Sequence, residues 1–333
     1  MNIVDVSGFY SDTGGGVRSY ARQKLAAAAR HGHRLTIVAP GARTWTEPRS
    51  GGKIAWVASP PMPFDPAYRM FASARAVWRV LDAEAPDVVE GSSPWRGGWI
   101  AGHWPGMALK ALVFHQDFVA GYAHTALGGL LGPPAVDRLS GAYWAYLRRL
   151  SRRFDVTVAG SGWLAGRLEG FGVYRPVAAP FGVEAGRFSP ARRDEALRRD
   201  LLARCGASPD GRLVLAVGRL HPEKRHRTII EGFARARTLR PDLGLVVIGD
   251  GLVRTSVERA ARRAGRVHVA GRIDDRDLLA RCYASADILA HGSAAETFGL
   301  VVAEAIASGL PVVVPGAGGA ADLAARGPSR LYP

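Results

Sequence analysis

The chain has 333 residues, 47% hydrophobic and 22% charged. That exceeds one ordinary domain and holds too much apolar surface for a largely disordered chain. Lysine and arginine total 44 against 29 acidic residues, a net charge of +15. The excess is spread evenly, 20 basic and 12 acidic residues in 1–180 against 24 and 17 beyond, which excludes a basic tail and leaves a folded basic face.

The predicted elements alternate from the start. Residues 3–6 are a short apolar strand, followed by the turn Gly14-Gly15-Gly16. Residues 17–30 read as a helix with alanine and leucine on one face, stopped at His31-Gly32-His33, and 35–39 is the next strand. Strands at 87–90, 111–115 and 156–159 follow, with helices at 66–82 and 142–153 between them. Residues 176–193 hold Pro176, Pro180, Gly182, Gly186 and Pro190, a breaker cluster that marks a linker. The alternation then restarts: strands at 213–217, 245–248, 267–270, 288–290 and 312–314, and helices at 227–240, 252–264, 275–284 and 299–307. Continuous apolar strands joined by helices imply a parallel sheet covered on both faces, twice over. The expected domains are 1–182 and 183–333.

Neither a leader nor a membrane span is expected. The start, Met1-Asn2-Ile3-Val4-Asp5, has no basic and then apolar segment, and His103, Lys110, His115 and Asp117 break the apolar stretch 99–119. Cys205 and Cys282 have no metal or redox spacing and suit a reducing, cytoplasmic setting.

Three motifs carry chemistry. Gly14-Gly15-Gly16-Val17, between the first strand and helix, lets backbone N–H groups approach an anion, yet lacks the spacing of a dinucleotide site or a P-loop. Val217-Gly218-Arg219-Leu220-His221-Pro222-Glu223-Lys224 follows a buried strand. Its guanidinium and ammonium suit a diphosphate, and Lys224 is one of only four lysines. In Glu296-Thr297-Phe298-Gly299-Leu300-Val301-Val302-Ala303-Glu304 two carboxylates lie eight apart around a helix start. There the helix N-terminus takes an anion and a carboxylate can grip ribose hydroxyls. Asp274-Asp275-Arg276-Asp277 is read as a helix cap rather than a metal site. The segment 143–153, with aromatics and four arginines, is read as a helix packed on the sheet, with docking on an anionic leaflet as the competing reading.

The last of these motifs, Glu296-x7-Glu304 with Phe298-Gly299 inside it, resembles the signature of the GT-B glycosyltransferases of family 4, the glycosyl transferases group 1. Val217-Gly218-Arg219-Leu220 with Lys224, Gly14-Gly15-Gly16-Val17, Ile248-Gly249-Asp250-Gly251, Ala286-Asp287 and Ala307-Ser308-Gly309-Leu310-Pro311 fall in the family's order. The resemblance implies an α/β GT-B fold: two Rossmann-like doubly wound parallel-sheet domains facing across a cleft, the first for the acceptor and the second for the donor. It implies retaining, metal-independent transfer of a hexose, mannose or glucose, from a GDP- or UDP-sugar to a hydroxyl of a glycan or lipid-linked acceptor. No cofactor and no nucleic acid are implied. The setting is cell-envelope polysaccharide or glycolipid synthesis in the cytoplasm, with peripheral membrane contact as an option.

The resemblance also implies roles. Arg219 and Lys224 would hold the diphosphate, with Gly15 and Gly16 capping it. Glu304 would hold the ribose and Glu296 the donor sugar. Thr297, Phe298, Gly299 and Leu300 would line the sugar and phosphate, and His115 would stand beside the sugar. His115, Glu296, Arg219 and Lys224 form the expected catalytic set. Ala290-His291-Gly292-Ser293 departs from the family's usual Pro-Ser, and the chain ends at Pro333, short of the family's last helices. The alternative reading is an inactive transferase-like protein or a basic membrane- or nucleic-acid-binding protein.

Overall fold

The computed structural model describes residues 1–10, 16–63, 65–184 and 186–333. They divide into two compact units, Met1–Val119 with Leu130–Gly182, and Ala120–Gly129 with Val183–Pro333. The glycine loop up to Gly15 lies outside the described residues, and Gly16 opens the first helix.

The strands of the first unit are β1 (Asn2–Val6), β2 (Arg34–Gly41), β3 (Trp45–Arg49), β4 (Gly52–Ala58), β5 (Pro61–Met62), β6 (Asp65–Arg69), β7 (Val88–Gly91), β8 (Leu109–Phe114), β9 (Val156–Ala159) and β10 (Pro176–Ala178). Eight of them form one sheet in the order β10-β9-β8-β7-β1-β2-β4-β3, while β5 and β6 pair separately. Every neighbour in the large sheet is parallel except β3, which runs antiparallel to β4 at the edge. From Leu35 to Gly41 β2 is buried without a break, as a parallel strand covered on both faces must be. Ala21, Leu25 and Ala28 of α1 (Gly16–Arg30) cover it, packed with Leu35, Ile37 and Ile54.

The helices that follow in the chain are α2 (Ala74–Glu84), α3 (Arg96–His103), α4 (His124–Leu131), α5 (Pro133–Leu139), α6 (Gly141–Ser151) and α7 (Gly162–Gly170), of which α4 falls mostly in the second unit and the others in the first. The helix expected at 66–82 is corrected. Residues 65–69 are strand β6, and the helix starts only at Ala74, where the Ser73 hydroxyl accepts a hydrogen bond from the Ala76 N–H. A capping serine outweighs the helical bias of the residues before it. In α6, Trp144, Leu147 and Leu150 are buried, and Trp144 stacks flat on Phe171 with centroids 3.8 Å apart. The aromatics that raised the membrane reading are thus spent on packing. Among the described residues no helix is long and apolar enough to cross a membrane.

The second unit is one six-stranded, wholly parallel sheet: β11 (Arg212–Val217), β12 (Leu243–Ile248), β13 (Val267–Gly271), β14 (Ile288–Ala290), β15 (Val312–Pro315) and β16 (Ser329–Tyr332). Their order, β13-β12-β11-β14-β15-β16, is that of a doubly wound Rossmann sheet. The helices are α8 (Glu195–Arg204), α9 (His226–Leu239), α10 (Arg254–Ala264), α11 (Arg276–Ser285), α12 (Leu300–Ala307) and α13 (Gly319–Ala324). Alternate strand residues feed two cores. Leu213, Leu215, Val246 and Ile248 pack with Leu202, Tyr283 and Val302. Ala216, Leu245 and Val247 pack with Ile230, Phe233 and Val257.

Candidate active site

In a doubly wound sheet ligands gather where the strand order reverses, beyond the carboxyl ends of the strands. In the second unit that point lies between β11 and β14, which are neighbours in the sheet though far apart in sequence. The loops that leave these strands carry Arg219, Lys224 and Glu296.

The β11 loop needs two glycines. Gly218 has φ +150°, and Gly249 in the loop after β12 has φ +151°, where an added Cβ would meet the Gly218 carbonyl oxygen at 1.9 Å. The two loops are laced together by Gly218 N–H to Ile248 O (3.0 Å) and Leu220 N–H to Asp250 O (2.9 Å). Lys224 ends a short 3-10 turn, Pro222–Lys224, and Arg225 turns left-handed at φ +48° to open α9.

Lys224 and Glu296 meet. The Lys224 Nζ is 2.5 Å from Glu296 Oε1. A second group addresses the same oxygen: His291 Nε2 lies 3.2 Å from it. Burial alone would raise the Glu296 carboxyl, but Lys224 and then His291 outweigh it and hold it well below the usual carboxylate range. Burial likewise opposes charge on Lys224, but Glu296 and Glu223 outweigh it and raise the ammonium. Both groups are therefore ionised. Arg219 is more exposed and has a weaker tie, its Nη2 lying 3.4 Å from Glu223 Oε1. It is free to swing toward a ligand in a way that Lys224 is not.

The chain between the two carboxylates is pinned by a glycine-rich loop that follows β15. Gly319 N–H donates to the Glu296 carbonyl at 2.6 Å, and a Cβ on Gly319 would meet the Thr297 carbonyl oxygen at 2.7 Å. Thr297 and Phe298 are buried. Gly299 caps α12 at φ +89°, so the helix starts at Leu300 with its first N–H groups turned to the loop. Glu304, one turn in, is only 3% exposed. Its Oε1 lies 3.0 Å from Arg276 Nη2, and its Oε2 accepts from the Tyr283 hydroxyl at 3.1 Å. Burial raises the Glu304 carboxyl and wins over Arg276 and Tyr283, which lower it. Asp275 caps α11, its carboxylate accepting from the Asp277 and Leu278 N–H groups at 2.8 and 3.2 Å.

His115 belongs to the first unit, one residue past β8. Its ring meets Tyr20 edge-on, centroids 4.8 Å apart, and Phe181 at 5.3 Å. Beneath lies an ionic cluster at this sheet's own reversal point, between β1 and β7: Lys24 Nζ is 2.9 Å from Asp5 Oδ2 and also bonds Glu90. Burial pushes His115 down to about 4, and burial does the same to His226. Each depressed imidazole stabilises the fold above its ordinary value near 6.5, and that contribution is lost as the pH falls toward about 4. Ring-proton NMR of the wild-type protein is expected to show both rings neutral at pH 6; a midpoint near 6.5 for either would contradict this.

Arg219, Lys224, Glu296, Thr297, Phe298, Gly299, Leu300 and Glu304 all lie in the second unit, and His115 and Gly16 in the first. Sequence reasoning missed His291, Arg276, Tyr283 and the loop before Gly319. Only His291 left a trace, as a departure from the family's Pro-Ser.

Two Rossmann-like units, one with cations and carboxylates gathered at its strand reversal, define a glycosyltransferase of the GT-B class. The family described as "Glycosyl transferases group 1" matches residues 199–331, and "Glycosyltransferase Family 4" matches residues 14–186. The chain belongs to this family. It is 36% identical over 260 residues to a GDP-mannose-dependent alpha-mannosyltransferase of Mycobacterium tuberculosis, covering 78% of this chain and 61% of that one. A protein of the same description from Mycolicibacterium smegmatis is 32% identical, covering 98% and 82%. A GDP-mannose-dependent alpha-(1-6)-phosphatidylinositol dimannoside mannosyltransferase of Mycobacterium tuberculosis is 28% identical, covering 94% and 79%. Among solved structures, sucrose-phosphate synthase from Thermosynechococcus elongatus shares the fold with a TM-score of 0.72 at 19% identity, covering 96% and 82%.

Proposed function

We propose that the protein moves a mannosyl group from GDP-mannose to a hydroxyl of a glycan or lipid-linked acceptor, with retention and without a metal ion. The observation that carries this is the Lys224–Glu296 pair at the strand reversal between β11 and β14. The choice of GDP-mannose rests on the names of the three relatives above, and the phosphatidylinositol dimannoside in one of those names favours a lipid-linked acceptor.

The chemical task is to stabilise negative charge growing on the departing diphosphate. Fixed positive groups at that point lower the barrier without reorganising. Lys224 supplies a buried ammonium, the exposed Arg219 closes on the phosphates, and the first N–H groups of α12 add the positive end of a helix. These groups do the work for which other transferases use a divalent ion. Glu304 takes the ribose hydroxyls, and Glu296 accepts from a hydroxyl of the sugar. Neutral His115 suits a hydrogen bond to a sugar oxygen better than proton donation. With no carboxylate assigned as nucleophile, the acceptor attacks on the face the diphosphate leaves, and the phosphate takes the acceptor's proton.

A thermal-shift panel of GDP, UDP and ADP with their sugars tests the donor. A ligand at 100 times its Kd stabilises by about 2.7 kcal/mol. GDP-mannose is expected to give the largest shift, and a larger shift with UDP-glucose would overturn the choice. Proton NMR of the product should show the α-anomer formed from the α-linked donor, at a rate unchanged by EDTA.

A further inference from the structure

We infer that His291 is a positioning residue for the donor sugar, acting through Glu296. The inference rests on the proposed contact between Glu296 and that sugar. His291 directly follows β14, and its main chain is tied on both sides. Its N–H donates to Val313 O at 2.8 Å, and its C=O accepts from the Tyr332 hydroxyl at 2.8 Å. The side chain is 4% exposed, so it has one place to go. That place is Glu296 Oε1, which Lys224 addresses from the other strand's loop.

A carboxylate held by a single flexible ammonium can rotate and present either oxygen. One hydrogen-bonded at Oε1 by Lys224 and flanked there by the His291 ring at 3.2 Å, from loops on neighbouring strands, has little room to turn. Oε1 is then committed to the protein, and Oε2 is the oxygen presented to a sugar hydroxyl. The Glu296 carbonyl is fixed as well, by the Gly319 N–H. The other charged or titratable groups about this pair are Glu223, 3.8 Å from Lys224 Nζ, Arg219 and His221, which both lie against Glu223, and His226, which burial keeps neutral near pH 7. Where the family it resembles has Pro-Ser, this chain has His291-Gly292-Ser293, and Gly292 is required there because a Cβ would meet the Lys224 carbonyl oxygen at 2.5 Å. The histidine and the glycine that lets it pass beside the Lys224 loop work as one device.

The test uses the full chain, with GDP-mannose as donor and GDP as a sugar-free probe. His291→Ala is expected to lower kcat/KM by about 10-fold, the effect of removing a polar ring packed against a buried carboxylate. It should leave the Kd for GDP within about twofold, since the diphosphate contacts stay. His291→Gln, which places an amide N–H toward Oε1, should recover most of the loss; a merely space-filling histidine would gain nothing from that amide. If Ala and Gln are equally slow, or GDP affinity falls in step with kcat/KM, the positioning role is wrong. Glu296→Gln separates the two levels. Should it transfer at the wild-type rate, the reading of Glu296 itself fails and takes this inference with it. Should it be slow while His291→Ala is unimpaired, only the role of His291 fails.

Discussion

Lys224→Ala is expected to lower kcat/KM by about 100- to 1,000-fold, as the loss of one preorganised charge donor does in other active sites. Two effects combine. The ammonium that faces the diphosphate is gone, and Glu296 Oε1 keeps only His291. The second effect also weakens the fold, because a mostly buried carboxylate loses its partner, at a cost of about 3 kcal/mol. Lys224→Met keeps the aliphatic stem and isolates the charge. Lys224→Arg restores charge but brings a planar fork where a compact ammonium sits 2.5 Å from its partner, so partial rescue is expected. Initial rates and urea midpoints measured on the same preparations separate chemistry from stability. A Lys224→Ala protein that turns over like wild type would remove Lys224 from the site.

Glu304 should behave differently, since its carboxylate has structural partners on both oxygens. Glu304→Ala strands Arg276 and leaves the fully buried Tyr283 hydroxyl without its acceptor. Arg276 keeps partial access to solvent and lies over Phe188, 5.0 Å from the ring centroid, which reduces the penalty for breaking the pair. A loss of about 2–4 kcal/mol follows, seen as a lower urea midpoint at unchanged slope. Glu304→Gln keeps the shape and an acceptor for Tyr283, so it is the cleaner probe of the ribose contact. A fall of about tenfold in donor affinity is expected for it, the worth of one charged hydrogen bond. Wild-type affinity in Glu304→Gln would leave Glu304 as a folding residue only.

Much of the architecture was legible because parallel, doubly covered strands are continuous apolar runs, and those at 35–39, 213–217 and 245–248 stand out in the sequence. What escaped was short or locally conflicted. The β3–β4 hairpin is polar on its outer strand, α3 has two glycines in its first turn, and β6 lies where residues before Ser73 suggest helix. The site was legible as residue types at motif spacing. Its geometry was not: nothing in spacing says that Lys224 and Glu296, 72 residues apart, share an oxygen with His291. That follows from β11 and β14 lying side by side. The partners of Glu304 were hidden for the same reason, because Tyr283 and Arg276 reach it from α11.

The antiparallel strand at the rim of the first sheet has a consequence for the protein among its own copies. An open sheet offers its outermost backbone as a template for the next strand, the usual route to strand-by-strand polymers. Here the outermost strand, β3, is Trp45-Thr46-Glu47-Pro48-Arg49, with most of its side chains exposed. Pro48 has no N–H to give an incoming chain, and Glu47 and Arg49 flank it with opposite charges. At the far rim β10 begins with another proline, Pro176. Each rim of this sheet thereby lacks an N–H donor that an added strand would need, so a further strand would gain less there than on an uninterrupted edge.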